Sequence, residues 1–156
     1  MATLIRDISE MQSLADRLRL EGKRLGVVPT MGYLHEGHLS LIRIARQRVD
    51  IVITTIFVNP TQFGPAEDFE RYPRDLVRDT SLAASAGTDY LFAPDTKAMY
   101  TEDHRTYVNV ERFDSILEGK SRPGHFRGVA TVVAKLLNIT KPYIAVFGQK
   151  DAQQVV

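Results

Sequence analysis

The sequence predicts an α/β fold, with one open, mostly parallel sheet flanked by helices. Three observations carry that expectation. Short β-branched or apolar runs alternate with segments whose apolar residues fall at helical spacing, the pattern of successive βα units. The run Asp50 to Val58 is nearly all apolar or β-branched on both faces, which suits a strand in the middle of a parallel sheet covered on both sides. Polar loops follow three of the strands, where open α/β sheets bind ligands.

The elements follow in order. Ile8 to Glu21 places Ile8, Met11, Leu14, Ala15 and Leu18 on one helical stripe, with Asp7 as N-cap and Glu10 three residues on, as in a capping box. Gly22 ends that helix. Leu25 to Val28 reads as a short buried strand that Pro29 stops, and Gly37 to Arg48 as a helix. After the strand Asp50 to Val58 come a helix from Asp75 to Ala86, a strand from Asp89 to Ala93 and a further strand near Thr106 to Val110. Gly128 to Thr140 reads as a helix with Val129, Val132, Val133, Leu136 and Leu137 on one side, and Tyr143 to Phe147 as a last buried strand. The chain ends in the first turn of a strand–loop–helix unit, which predicts a fragment of a longer protein.

Composition narrows the function classes. With 156 residues and 44% hydrophobic content, the chain is long enough for one domain with a real core. Its 20 basic residues are scattered and nearly matched by 19 acidic ones, so no nucleic-acid partner is expected. The lack of cysteine excludes disulfides, thiolate zinc sites and Cys nucleophiles and fits a cytosolic protein. No apolar run approaches the roughly 18 residues of a membrane span.

The first polar loop, Pro29 to His38, carries His35 and His38 at i, i+3 with Gly37 between them at a helix start. That spacing puts both imidazoles on one side of a helix N-terminus, where backbone N–H groups and the helix dipole favour an anion. Gly37 allows a base or phosphate to approach the backbone. A zinc site fits poorly, because zinc wants three or four ligands and His104 and His125 lie far away in sequence. The second loop offers the amides Asn59 and Gln62, suited to a carboxylate and hydroxyls, or alternatively a capped turn with surface amides. Asp79, one turn into the next helix, is either a magnesium-side acid or a solvated helix charge. The third loop, Gly148 to Gln154, places Lys150 as a point charge for phosphate, or as a plain surface lysine. The basic stretch Gly119 to Gly128 is either a lid or a crossover connection. Neither a Walker loop nor a G-x-G-x-x-G fingerprint occurs.

Five segments together are similar to one family. Val28 to His38, Ile56 to Phe63, Arg71 to Arg74, Leu117 to Val129 and Phe147 to Gln154 resemble, in order and spacing, the successive motifs of the pantoate–β-alanine ligases. The resemblance implies a Rossmann-like domain of the H-x-G-H nucleotidyltransferase superfamily, spanning residues 1–156, and a cytoplasmic homodimer formed through it. It implies that pantoate attacks the α-phosphorus of MgATP to give pantoyl adenylate and pyrophosphate, and that β-alanine then displaces AMP.

By the same resemblance Met31, Gly32, Tyr33, Leu34, His35, Glu36, Gly37 and His38 line ATP, with His38 the proton donor and His35 sharing the phosphate contacts. Gly148, Gln149, Lys150 and Asp151 complete the ATP site. Gln62 and Gln154 hold pantoate, and β-alanine sits near Gln62. Asn59, Asp79 and Arg122 form a second tier: Asn59 near the substrates, Asp79 near magnesium and the phosphates, Arg122 in the basic loop. Gln149 stands where the family usually has Glu. The family also continues into a serine–arginine phosphate loop and a smaller C-terminal domain, so the isolated chain is not expected to turn over fully.

Overall fold

The computed structural model describes residues 2–64, 69–113 and 117–149, without the side chains of 117 and 118. The elements are β1 (Thr3–Ile5), α1 (Ile8–Leu20), β2 (Leu25–Thr30), α2 (Glu36–Arg46), β3 (Ile51–Ile56), a 3-10 turn (Pro60–Gln62), α3 (Leu76–Ala86), β4 (Tyr90–Phe92), α4 (Thr96–Met99), α5 (Leu117–Ser121), α6 (His125–Thr140) and β5 (Ile144–Ala145). The strands form one sheet in the order β1-β4-β3-β2-β5, and every pairing is parallel.

Successive residues of a strand point to opposite faces, and the core divides accordingly. Val27, Ile53 and Phe92 pack with Met11, Leu14 and Leu18 of α1 and Val132 and Leu136 of α6. Their strand neighbours Val28, Val52 and Leu91 pack with Leu39, Ile42 and Ala45 of α2 and Ala83 of α3. A sheet covered on both faces explains why its central strands read as continuous apolar runs. Asp7 caps α1 by accepting from the Glu10 N–H at 2.8 Å, and Asp75 caps α3 by accepting from Arg78 N–H at 3.0 Å. Among the described residues no helix is long and apolar enough to cross a membrane.

Several sequence expectations need correction. β1 goes unrecognised because three residues carry too little periodicity; it pairs with β4 through Thr3↔Tyr90 and Ile5↔Phe92. Pro29 does not stop β2, which continues to Thr30 with Pro29 opposite Thr55. The carbonyls of Leu25 and Val27 point towards β5, accepting from Tyr143 and Val146, so Pro29 faces the same side. β5 pairs only as far as Val27, and the missing proline N–H therefore breaks no ladder bond. Thr106 to Val110 joins no sheet: Tyr107, Val108 and Val110 are exposed, Val108 N–H donates to Thr131 Oγ1, and the Arg127 guanidinium covers the Tyr107 ring at 3.8 Å. β propensity alone cannot make a strand without a neighbouring edge to pair with. α6 starts at His125, three residues before Gly128, so part of the basic stretch 119–128 is helical.

Candidate active site

A cleft of about 560 Å³ opens at the carboxyl ends of β2, β3 and β5, with Met31, His35, His38, Gln62, Tyr72 and Gly148 in its wall. Gln149 also lines it, whereas Lys150, Asp151 and Gln154 lie outside the described residues. All three polar loops were expected at this edge, and the described parts of all three meet here.

The loop after β2 turns sharply. Thr30 Oγ1 donates to the Thr55 carbonyl at 2.7 Å and accepts from Gly32 N–H at 3.1 Å. Gly32 has φ +85° and Tyr33 φ +50°, both in the left-handed region. A Cβ at Gly32 would lie 3.0 Å from Ile56 Cγ2 and 3.1 Å from Asp79 Oδ2, so glycine is needed twice over. Leu34 is fully buried and anchors the loop, with about 2 kcal/mol of apolar burial. Asp79 holds the turn: Oδ2 accepts from Tyr33 N–H and Oδ1 from Leu34 N–H, each at 2.7 Å.

Asp79 is 1% exposed, which corrects the reading of a solvated helix charge. Both oxygens accept from backbone amides, so Asp79 braces the loop. Among the described residues no three His, Cys, Asp or Glu side chains are grouped to hold a metal ion.

His35 and His38 cap α2 reciprocally. His35 is the N-cap; its Nδ1 accepts from Gly37 N–H at 3.1 Å, while His38 Nδ1 accepts from His35 N–H at 3.3 Å. This is a capping box built from imidazoles in place of hydroxyl and carboxylate. The rings lie 4.1 Å apart between centroids. A Cβ on Gly37 would come within 2.9 Å of His35 Cε1, so that glycine makes room for the His35 ring. Because each Nδ1 accepts, the proton of each neutral ring resides on Nε2. Glu36 pairs with Arg43, and that guanidinium holds its carboxyl below the usual range.

The loop after β3 is fixed by backbone groups. Asn59 is 1% exposed, which corrects the reading of surface amides. Its Oδ1 accepts from the Thr61 N–H at 3.3 Å and hydroxyl at 2.9 Å, and its Nδ2 donates to the Gly128 carbonyl at 3.0 Å and to Gln62 Oε1 at 3.0 Å. An amide N–H can only donate and a carbonyl only accept, so the Thr61 and Gly128 backbones orient the Asn59 amide, and Asn59 orients Gln62. Gln62 therefore turns Nε2 towards the cleft, 3.4 Å from Met31 Sδ. Tyr72 stays a phenol donor in the wall, since burial, helped by the charge of Asp79, pushes its ionisation up.

Two residues of the basic stretch are given no role of their own in the sequence reading. Gly128 brings α6 against the loop: a Cβ there would lie 2.4 Å from the Thr61 carbonyl oxygen. His125, 6% exposed, contacts the Gln62 carbonyl through Nδ1 at 2.8 Å. Arg122 reaches His125 Nε2 at 3.2 Å and the Gln62 carbonyl at 3.5 Å, so it serves the glutamine loop. No local spacing signals the contacts with this loop, which join positions 60 or more residues apart.

Residues 3–156 match a family model described as Pantoate-beta-alanine ligase. The chain is 59% identical over 152 residues to a pantothenate synthetase of Caldicellulosiruptor bescii, covering 97% of this chain and 54% of that protein. The pantothenate synthetase of Acetivibrio thermocellus is similar to the same extent, 59% over 152 residues with the same coverage. A pantothenate synthetase structure from Thermus thermophilus superposes with a TM-score of 0.92 at 48% identity, over 98% of this chain and 54% of that one. A Francisella tularensis pantoate-beta-alanine ligase complexed with Beta-gamma ATP and beta-alanine superposes with a TM-score of 0.93 at 44% identity, over 99% of this chain and 59% of that one. The chain thus spans about half the length of the curated relatives it matches.

Proposed function

This chain belongs to the pantoate-beta-alanine ligase family, and from that premise we propose that its cleft takes ATP and pantoate for the AMP-forming ligation of pantoate to β-alanine. The observation that carries the reading is the Gln62 amide, whose Nε2 is turned by Asn59 into the same cleft as the two histidines. A fixed N–H donor selects an oxygen acceptor, such as a carboxylate or hydroxyl. A histidine-capped helix N-terminus favours phosphate. A carboxylate beside a phosphate is the pair that adenylation needs.

In this reading ATP lies along Met31 to His38, with the phosphates at the start of α2 and at Gly148 to Asp151, Lys150 supplying the point charge. Pantoate is held between Gln62 and Gln154, and one carboxylate oxygen attacks the α-phosphorus. The bond to pyrophosphate breaks as the new acyl–phosphate bond forms. Negative charge moves onto the leaving pyrophosphate, and His38, protonated at Nε2, donates there, with His35 sharing the phosphate contacts. β-Alanine, bound near Gln62, then attacks the activated acyl carbon and AMP leaves. Magnesium arrives with ATP; Asp79 acts on the site by bracing the Tyr33–Leu34 backbone.

The same reading carries a homodimer in the cytoplasm and a share of the work for the half of the relatives that lies beyond this match, which adds phosphate contacts and excludes water. The test is isotope exchange of pyrophosphate into ATP by the intact ligase. Exchange should depend on pantoate. Exchange indifferent to pantoate would point instead to another H-x-G-H adenylyltransferase.

A further inference from the structure

We propose that His125 is a positioning residue for the substrate-binding amide of Gln62, and that Arg122 orients His125 for that task. The proposal rests on the functional reading above and names the part of the fold on which its carboxylate subsite depends.

Gln62 is held by both its side chain and its main chain. Its side-chain oxygen accepts from Asn59 Nδ2, and its main-chain carbonyl faces His125 Nδ1 at 2.8 Å. A carbonyl oxygen only accepts, so Nδ1 must carry the proton. His125 Nε2 is then the acceptor, and Arg122 Nη1, 3.2 Å away, is a donor only. The relay Arg122 to His125 to Gln62 thus fixes the opposite tautomer from that of the two cleft histidines. His125 is nearly buried and stacks edge-on against Phe126 at 5.1 Å, which leaves the ring little freedom. Three residues on, Gly128 presses on the Thr61–Gln62 backbone. The first turn of α6 is therefore a template for the loop: Gly128 sets its distance, and His125 its rotation about the Gln62 peptide.

Removing the imidazole frees that peptide, and Nε2 no longer holds its bearing on the cleft. The effect should fall on the carboxylate substrate and spare the nucleotide, since His125 and Arg122 act on the Gln62 peptide rather than on the capped start of α2. In the intact ligase, His125→Phe should raise the pantoate Kd by about tenfold, the usual consequence of removing the shorter of the two hydrogen bonds to a part-buried carbonyl. The ATP Kd should stay within about twofold of the wild type, the scatter expected where no contact is lost. His125→Asn keeps a donor near the position of Nδ1 and should recover most of the affinity. Arg122→Leu should shift pantoate in the same direction by a smaller factor. The wild-type imidazole should appear as the neutral Nδ1–H tautomer in long-range ¹H–¹⁵N correlation spectra.

A His125→Phe variant that binds pantoate as tightly as the wild type, a His125→Asn variant no better than Phe, or an Nε2–H tautomer overturns the proposal while leaving the functional reading intact. A wild type indifferent to pantoate overturns both. Should His125→Phe fail to fold, His125→Asn and Arg122→Leu decide by the same readouts, and unchanged pantoate affinity in Arg122→Leu overturns the relay.

Discussion

The two loops that meet in the cleft are built by different means. The histidine loop is largely its own scaffold: Thr30 holds Gly32, His35 and His38 cap one helix between them, and all of this happens within nine residues. Its distant support is Asp79. The glutamine loop takes its position from α6. Asn59 bonds the Gly128 carbonyl, His125 meets the Gln62 carbonyl, and Gly128 fits only because it lacks a Cβ. The difference teaches that a histidine-capped helix start can be encoded locally, whereas the loop that must orient a single amide borrows rigidity from another element.

The most damaging substitution should strike the borrowed scaffold. Gly128→Ala places a methyl against backbone, which cannot yield as a side-chain tip can, and should destabilise the protein by about 3 kcal/mol in urea unfolding. A variant as stable as the wild type would break the comparison, because α6 would then not template the loop. On the other side, His38→Ala should slow adenylation by about a hundredfold in pre-steady-state assays of the intact ligase. It should lower stability by no more than about 1 kcal/mol, the value of half a capping box. A large loss of Tm with the rate unchanged would make His38 a cap and nothing more.

Asp79→Asn sharpens the contrast further. The amide presents its NH₂ to one of two backbone donors, so about 2 kcal/mol of stability should go, with ATP affinity falling and pantoate affinity held. Equal loss for both ligands would show that the loops are coupled rather than separate. The smallest effect belongs to Glu36. Arg43 holds its folded carboxyl below the ordinary range, so the pair contributes above the unfolded carboxyl value and is lost as pH falls through the lowered folded one. An NMR titration should show the Glu36 carboxyl ionising below a free glutamate, and Arg43→Ala should restore the ordinary value.

Much of this was legible in the sequence, and the gaps have physical causes. The alternation of apolar runs marked the sheet and its helices, because each face of β2, β3 and β4 feeds a different core. The histidine pair was legible because i, i+3 spacing at a helix start is a local fact. Asn59 was read in part as a surface amide and Asp79 as a solvated charge, because burial is decided by partners 69 and 45 residues away. His125 and Gly128 carried no signal of their own. Pro29 misled because a missing N–H matters only where a neighbouring strand is present to receive it.

The proposed carboxylate subsite depends on the orientation of one amide, and a crystal structure of the protein soaked with pantoate tests it. A carboxylate or hydroxyl oxygen of pantoate should lie within hydrogen-bonding distance of Gln62 Nε2, with Oε1 still accepting from Asn59. In Asn59→Asp crystals that interaction should be lost. Pantoate bound elsewhere, or an amide reversed so that Oε1 faces the ligand, would contradict it.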